Sequence, residues 1–140
     1  MYLVTGANGQ LGNELKKRLT GAVFTDKSVL DITDANAVQK FVKENNIDLI
    51  INCAAYTAVD KAEKEDVLQA IKVNIDGPRN LAQTGAKIIH ISTDYVFDGY
   101  GFKPYTPEDK TSPLSVYGKT KRAGEIAVLE NAKLAIIIRT

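Results

Sequence analysis

Tyr117 and Lys121, four residues apart in the run Ser115-Val-Tyr-Gly-Lys-Thr-Lys121, have the residue types of an acid catalyst. On a helix, positions i and i+4 share one face. A free phenol titrates near pH ~10 and a neighbouring cation favours its phenolate, so the lysine is expected to draw the tyrosine toward neutral pH. Any exposed helical face shows the same spacing, and the pair gains meaning only from the elements that position it.

The N-terminus supplies the first of these. Met-Tyr-Leu-Val-Thr-Gly-Ala-Asn-Gly-Gln-Leu-Gly12 is a short apolar strand running into Gly6, Gly9 and Gly12. Strand, tight turn and helix in that order let backbone N–H groups approach a pyrophosphate at the positive end of a helix dipole. The spacing G-x-x-G-x-x-G differs from the G-x-G-x-x-G dinucleotide fingerprint, yet it keeps a turn, a close approach and a helix-packing glycine. Asp26 closes the next apolar run, Ala22-Val-Phe-Thr, at the distance from Gly6 where a carboxylate meets the adenosine ribose. Lys27 and Ser28 follow at once and would suit a 2′-phosphate, so NADH and NADPH both remain open as cofactors.

Composition fits one soluble domain. With 140 residues, 44% apolar and 25% charged, the chain can bury roughly 68% of its unfolded surface. A net charge of +1 without a basic stripe argues against a nucleic-acid partner. Lys16, Lys17 and Arg18 read as a solvated helix face. Cys53 is the single cysteine, so it forms no internal disulfide and is expected to be a small buried hydrophobe in a reducing compartment. No stretch reaches the length of a spanning helix, and the N-terminal run is too short for a signal peptide. The expected setting is cytoplasmic, without a membrane or metal.

Apolar runs alternate with helical patterns, the signature of a parallel sheet wrapped by crossover helices. Six strands are predicted, at Tyr2 to Thr5, Ala22 to Thr25, Val29 to Leu30, Leu49 to Cys53, Lys87 to Ser92 and Leu134 to Arg139. Helices are expected to start near Gln10, after an Asp34 cap, near Asp66 and near Ser115, with Gly77-Pro78 kinking the third. Right-handed crossovers then give a Rossmann-like, doubly wound α/β sheet in the order 3-2-1-4-5-6. Ligands of such sheets sit outside the carboxyl ends of the strands where the winding reverses. Two segments leave those ends: Asn52-Cys-Ala-Ala-Tyr-Thr57 and Ser92-Thr-Asp-Tyr-Val-Phe-Asp-Gly99.

The stretches Thr5 to Gly12, Asn52 to Lys61, His90 to Gly99 and Tyr117 to Lys121 together resemble the dTDP-4-dehydrorhamnose reductase family, among the extended short-chain dehydrogenase/reductases. The resemblance covers the whole chain. It implies reduction of the C4 ketone of a nucleotide-sugar, dTDP-4-dehydro-L-rhamnose, by hydride from NADPH or NADH. It further implies that Tyr117 gives a proton to the C4 oxygen, that Thr93 hydrogen-bonds that oxygen, and that Asp94 helps hold the sugar. Lys121 would lower the tyrosine pKa and bind the nicotinamide ribose, with Asn74 supporting the proton relay. Gly6, Gly9, Gln10, Leu11 and Gly12 would meet the pyrophosphate; Asp26, Asp31 and Ile32 the adenosine half; Ala55, Tyr56 and Thr57 the middle of the cofactor. His90, inside a strand, reads as a packed core residue. A homodimer is a possible assembly.

Members of that family are about twice this long. Residues 1–140 therefore correspond to an NAD(P)-binding domain that stops before the last strand and the substrate domain, and a dinucleotide-binding module without turnover is a second expectation. A nucleotide-sugar epimerase using the same Thr/Tyr/Lys set is a third. The connections Leu19 to Ala22 and Ala82 to Gly85 are short for the family, but both lie at the edge of the sheet opposite the cofactor.

Overall fold

The computed structural model describes residues 1–140. Five parallel strands form one sheet: β1 (Tyr2–Thr5), β2 (Ala22–Thr25), β3 (Leu49–Asn52), β4 (Lys87–Ser92) and β5 (Ala135–Arg139), in the spatial order β2-β1-β3-β4-β5. That is the predicted order with one strand missing. Val29 and Leu30 are not a strand, because both of their N–H groups bond to the Asp26 carbonyl, at 3.2 and 2.9 Å. Donors used within a turn cannot join a ladder. Leu30 is nevertheless buried, and it packs in the core with Leu3, Ile50 and Ile88.

Helices α1 (Gln10–Arg18) and α2 (Ala35–Glu44) follow β1 and β2, and α6 (Val116–Asn131) leads into β5. Asp34 caps α2 by accepting from Ala37 N at 3.0 Å, and Ser115 caps α6 by accepting from Gly118 N at 2.9 Å. Between β3 and β4 lie the short α3 (Val59–Ala62) and a continuous run made of α4 (Val67–Ile71), a π turn (Lys72–Asp76) and α5 (Gly77–Ala82). The irregularity expected at Gly77-Pro78 takes the form of a wider turn just before it. Pro78 has no N–H, and its ring crowds the carbonyl four residues earlier, that of Asn74. Opening the coil to i→i+5 bonding removes that conflict while the helix continues.

The core lies between the sheet and these helices, with Leu3, Val38, Ile50, Leu81, Ile88 and Val128 at 0–1% exposure. Every strand runs the same way, so all five carboxyl ends open on one edge, with the reversal of winding between β1 and β3. The connections into β2 and β4 turn at Gly21 and Gly85 on the far edge, where nothing lies within 4 Å of either glycine's side. No helix is long and apolar enough to cross a membrane.

Candidate active site

At the carboxyl ends of β1, β2 and β3 a cleft of about 650 Å³ opens. Its walls are Gly6, Asn8, Gly9 and Gln10 from the glycine turn, Asp26, Asp31 and Ile32 beyond β2, and Ala55, Tyr56 and Thr57 beyond β3. Two glycines explain the narrowness of the turn. Gly6 has φ +67°, and a Cβ there would lie 2.6 Å from Ala54 N; at Gly12 it would lie 2.4 Å from the Gly6 carbonyl. The first permits β1 and β3 to exit side by side, and the second seats α1 against the turn. Gly9 caps α1 without a side chain, leaving the first-turn N–H groups without a side-chain acceptor, the arrangement that suits an anion. Leu11 is 38% exposed and Gly12 is buried; neither side lines the cleft, so only their backbone could face a ligand.

Asp26 and Asp31 are held as carboxylates. Asp26 accepts from Ser28 Oγ at 2.6 Å and Ser28 N at 2.9 Å, and also from Asn8 Nδ2. These bonds, those from Ser28 foremost, lower its pKa. Asp31 is lowered chiefly by the Thr33 N–H at 3.0 Å, aided by the Thr33 hydroxyl and by Lys27. Ser28 is therefore committed to Asp26.

The second half of the site approaches from α6. A Cβ on Gly118 would stand 2.3 Å from the Tyr95 carbonyl, and one on Gly124 would stand 2.1 Å from the Asn74 carbonyl. Backbone contact this close seats α6 directly on the 3₁₀ turn Asp94–Val96 and on the π turn. Tyr117 thereby lies beside the exit of β4, its ring edge-on to Tyr95 at 5.5 Å. Thr93 is buried and accepts from Tyr95 N at 3.2 Å, with its hydroxyl 3.3 Å from the carboxylate of exposed Asp94.

Lys121 is only 2% exposed, and its Nζ donates to the Ile91 carbonyl at 2.7 Å. Burial lowers its pKa to about 8, with Glu125 pulling it back up. Tyr117 departs from expectation. Its pKa is raised, above all by burial and further by Tyr95 and Asp94, while the Thr93 hydroxyl works the other way. The lysine does not draw the phenol toward neutrality, because its ammonium is aimed at a strand carbonyl. Tyr117 is accordingly a protonated phenol, the form that can donate.

Asn74 joins the two halves. Its Oδ1 accepts from Tyr56 N at 2.8 Å, and its Nδ2 donates to the Tyr56 carbonyl and to Thr120 Oγ1, each at 3.1 Å. With every polar atom of that side chain engaged, Asn74 clamps the cleft wall to α6. The Tyr56 hydroxyl donates to Asp66 at 2.6 Å, which pushes its pKa up to about 12. A second relay crosses the strands beneath: Thr5 Oγ1 donates to Asn52 Oδ1 at 2.7 Å, and Asn52 Nδ2 lies 3.0 Å from His90 Nδ1. His90 is fully buried, as expected of a core residue, and burial lowers its pKa to about 3.

Sequence reasoning missed several wall residues. Asn8 sits inside the glycine turn and links it to Asp26 and to Lys16, at 3.0 Å; its place between two glycines was the available signal. Gln69 and Val73 line the cleft from the helix before and within the π turn, and their i,i+4 spacing was the clue. Cys53 is half-buried in the cleft rather than in the core. Its thiol is pushed up to about 11 by burial, against the pull of Lys121.

Residues 1–140 match the family described as the RmlD substrate binding domain. A dTDP-4-dehydrorhamnose reductase of Streptomyces griseus is 52% identical over 137 residues, which cover 92% of this chain and 45% of that protein. The crystal structure of a dTDP-4-dehydrorhamnose reductase from Clostridium acetobutylicum superposes with a TM-score of 0.93 at 49% identity, covering 99% of this chain and 52% of the other. The Bacillus anthracis enzyme, solved in complex with NADP, does so with a TM-score of 0.93 at 43% identity and the same coverage. The chain spans about half the length of the curated relatives it matches.

Proposed function

This chain belongs to the family described as the RmlD substrate binding domain, and we propose that it is the cofactor-holding part of a dTDP-4-dehydrorhamnose reductase, with Thr93, Tyr117 and Lys121 as its catalytic residues. One observation carries the reading. The buried Asn74 side chain ties the wall of a glycine-turn cleft to the helix that bears the Tyr/Lys pair. A dinucleotide site and a proton donor are thus parts of one rigid assembly.

The residues suit a nicotinamide dinucleotide. The uncapped N-terminus of α1 can bind a pyrophosphate, the Asp26 carboxylate can accept from ribose hydroxyls, and Lys27 beside it can meet a 2′-phosphate. NADPH and NADH are therefore both accommodated. When bound in reduced form, the cofactor supplies the hydride that the sugar ketone takes up at C4. Tyr117 gives its phenolic proton to the C4 oxygen as charge develops there, and Thr93 donates a hydrogen bond to that oxygen. Lys121, as an ammonium, can bind the nicotinamide ribose. Asp94, exposed at the mouth, can accept from the sugar hydroxyls. One hydride and one proton convert the ketone to an alcohol.

The nucleotide-sugar is the expected partner; a cytoplasmic setting and a homodimer complete the reading. Because its relatives are about twice as long, residues 1–140 are proposed as the NAD(P)-binding domain, with sugar binding completed by a further domain in the relatives. Calorimetry with NADPH and NADH tests the cofactor site, and absence of heat at millimolar dinucleotide overturns the reading. Loss of nicotinamide absorbance on adding dTDP-4-dehydrorhamnose, abolished in Tyr117→Phe, supports turnover by this chain. Binding without turnover favours the module reading, and a product of unchanged oxidation state favours an epimerase.

A further inference from the structure

Glu125 lies one turn beyond Lys121 on α6, at the i,i+4 position, and is fully buried. It serves no purpose in the chemistry derived above. A buried carboxylate is costly unless its oxygens are fully paired, and here they are. Oε1 accepts from Ser92 Oγ at 2.5 Å and from Arg139 Nε at 2.9 Å; Oε2 accepts from Arg139 Nη2 at 2.8 Å and Arg122 Nη1 at 2.9 Å. Each partner belongs to a different part of the site. Ser92 ends β4 and immediately precedes Thr93, Arg122 adjoins Lys121, and Arg139 ends β5. The same arginines reach outward, Arg122 to Thr111 Oγ1 at 3.0 Å and Arg139 to the Pro107 carbonyl at 3.3 Å.

We propose that Glu125 is a positioning residue of this site: its carboxylate fixes the Ser92–Thr93 exit of β4 and supplies the negative charge against which Lys121 stays an ammonium. The inference rests on the reductase reading only for the roles of Thr93 and Lys121. The charge environment of Lys121 is otherwise sparse. Cys53 beyond β3, His90 on β4 and Tyr117 on α6 are all uncharged near neutral pH, with the thiol at about 11, the imidazole at about 3 and the phenol raised. The helical run behind α6 meets it near Lys121 through Asn74 and Pro78, which carry no charge, while the carboxylate of Glu63, just beyond α3, accepts from Val116 N at the exposed start of α6. Asp94 stands at the exposed mouth. The charges left to act on Lys121 from within the fold are the buried Glu125 and its two partly exposed arginine partners, Arg122 and Arg139.

The titration of Lys121, followed by heteronuclear NMR on side-chain-labelled lysine, separates this role from a merely structural salt bridge. Glu125→Gln removes the negative charge and Arg139→Gln removes a positive one, yet both break the same ion pair. The proposal expects the Lys121 midpoint to fall by about one pH unit in Glu125→Gln and to rise in Arg139→Gln. Shifts in the same direction, or no shift in Glu125→Gln, overturn it. Should Glu125→Gln fail to fold, Arg139→Gln decides alone, since that side chain is 20% exposed: an upward shift supports the proposal, and no shift or a downward one sinks it. NADPH binding measured on the wild-type sample keeps the two readings apart. Without binding there, the reductase reading fails while the titration still reports on Glu125.

Discussion

Replacing Lys121 by methionine should stabilise the fold at neutral pH while removing dinucleotide binding. The side chain is 2% exposed, and its pKa falls from 10.5 to about 8 on folding, mainly through burial. Such a fall corresponds to about 3 kcal/mol of unfavourable free energy for carrying the charge into the folded state. Below pH 8 both folded and unfolded chains hold this proton, and the cost is fully present. Between pH 8 and 10.5 the unfolded chain keeps a proton that the folded chain has shed, so stability rises with pH. Above 10.5 the cost is gone. Methionine has no donor for the Ile91 carbonyl, a loss of about 1 kcal/mol. The net expectation for Lys121→Met is therefore a gain of about 2 kcal/mol at pH 7 that becomes a loss of about 1 kcal/mol near pH 11. Urea midpoints of the two proteins, compared at each pH, measure the difference directly. A variant less stable than wild type at pH 7, or a difference that does not change with pH, would refute the reasoning.

Three further outcomes are expected. Gly124→Ala should destabilise by about 1–3 kcal/mol in urea titration, because the added methyl meets the Asn74 backbone carbonyl at 2.1 Å; a gain of ~1 kcal/mol, as helix propensity alone would give, would show the contact to be loose. Asn74→Ala leaves the Tyr56 N–H without its side-chain partner and should cost about 1–3 kcal/mol, with NADPH affinity falling as well; unchanged calorimetric binding would remove Asn74 from any role in shaping the cleft. Cys53, with its thiol at about 11, should alkylate at pH 8 about a hundredfold slower than free cysteine, and its rate should climb until pH reaches about 11, so a plateau near pH 9 in iodoacetamide kinetics would contradict the burial argument.

What sequence alone reveals here is what depends on neighbours in the chain. The glycine turn, the Asp34 cap, the helix start near Ser115 and five of the six expected strands follow from local pattern and cap chemistry, and each is found. Failures arise where distant elements decide. Val29 and Leu30 are the local exception: their side chains suit a strand, but a turn back to the Asp26 carbonyl, three and four residues earlier, claims their donors. Gly77-Pro78 signals a break, yet the helix continues through a wider turn whose Asn74 carbonyl packs against Gly124 of α6. The Tyr117/Lys121 spacing is visible, but the depth to which α6 sinks both residues is not, and depth sets their pKa values. Glu125 looks like a surface residue of a polar helix until Ser92 and Arg139 arrive from other strands.

The π turn at Lys72–Asp76 also acts as a phase shifter. Each residue of an α-helix advances about 100° around the axis, so the extra residue held in a π turn rotates everything on one side of it relative to the other. Gln69 and Val73 face the cleft, Gly77 meets Ile32 and Leu81 reaches the core, a series spaced by four residues that an ordinary α-helix would carry about 40° further round at each step. Deleting a single residue between 72 and 76 would restore ordinary winding and turn one set away from its partner. A change of length at the open turns of Gly21 and Gly85, where nothing packs within 4 Å, leaves the cleft wall in place by comparison.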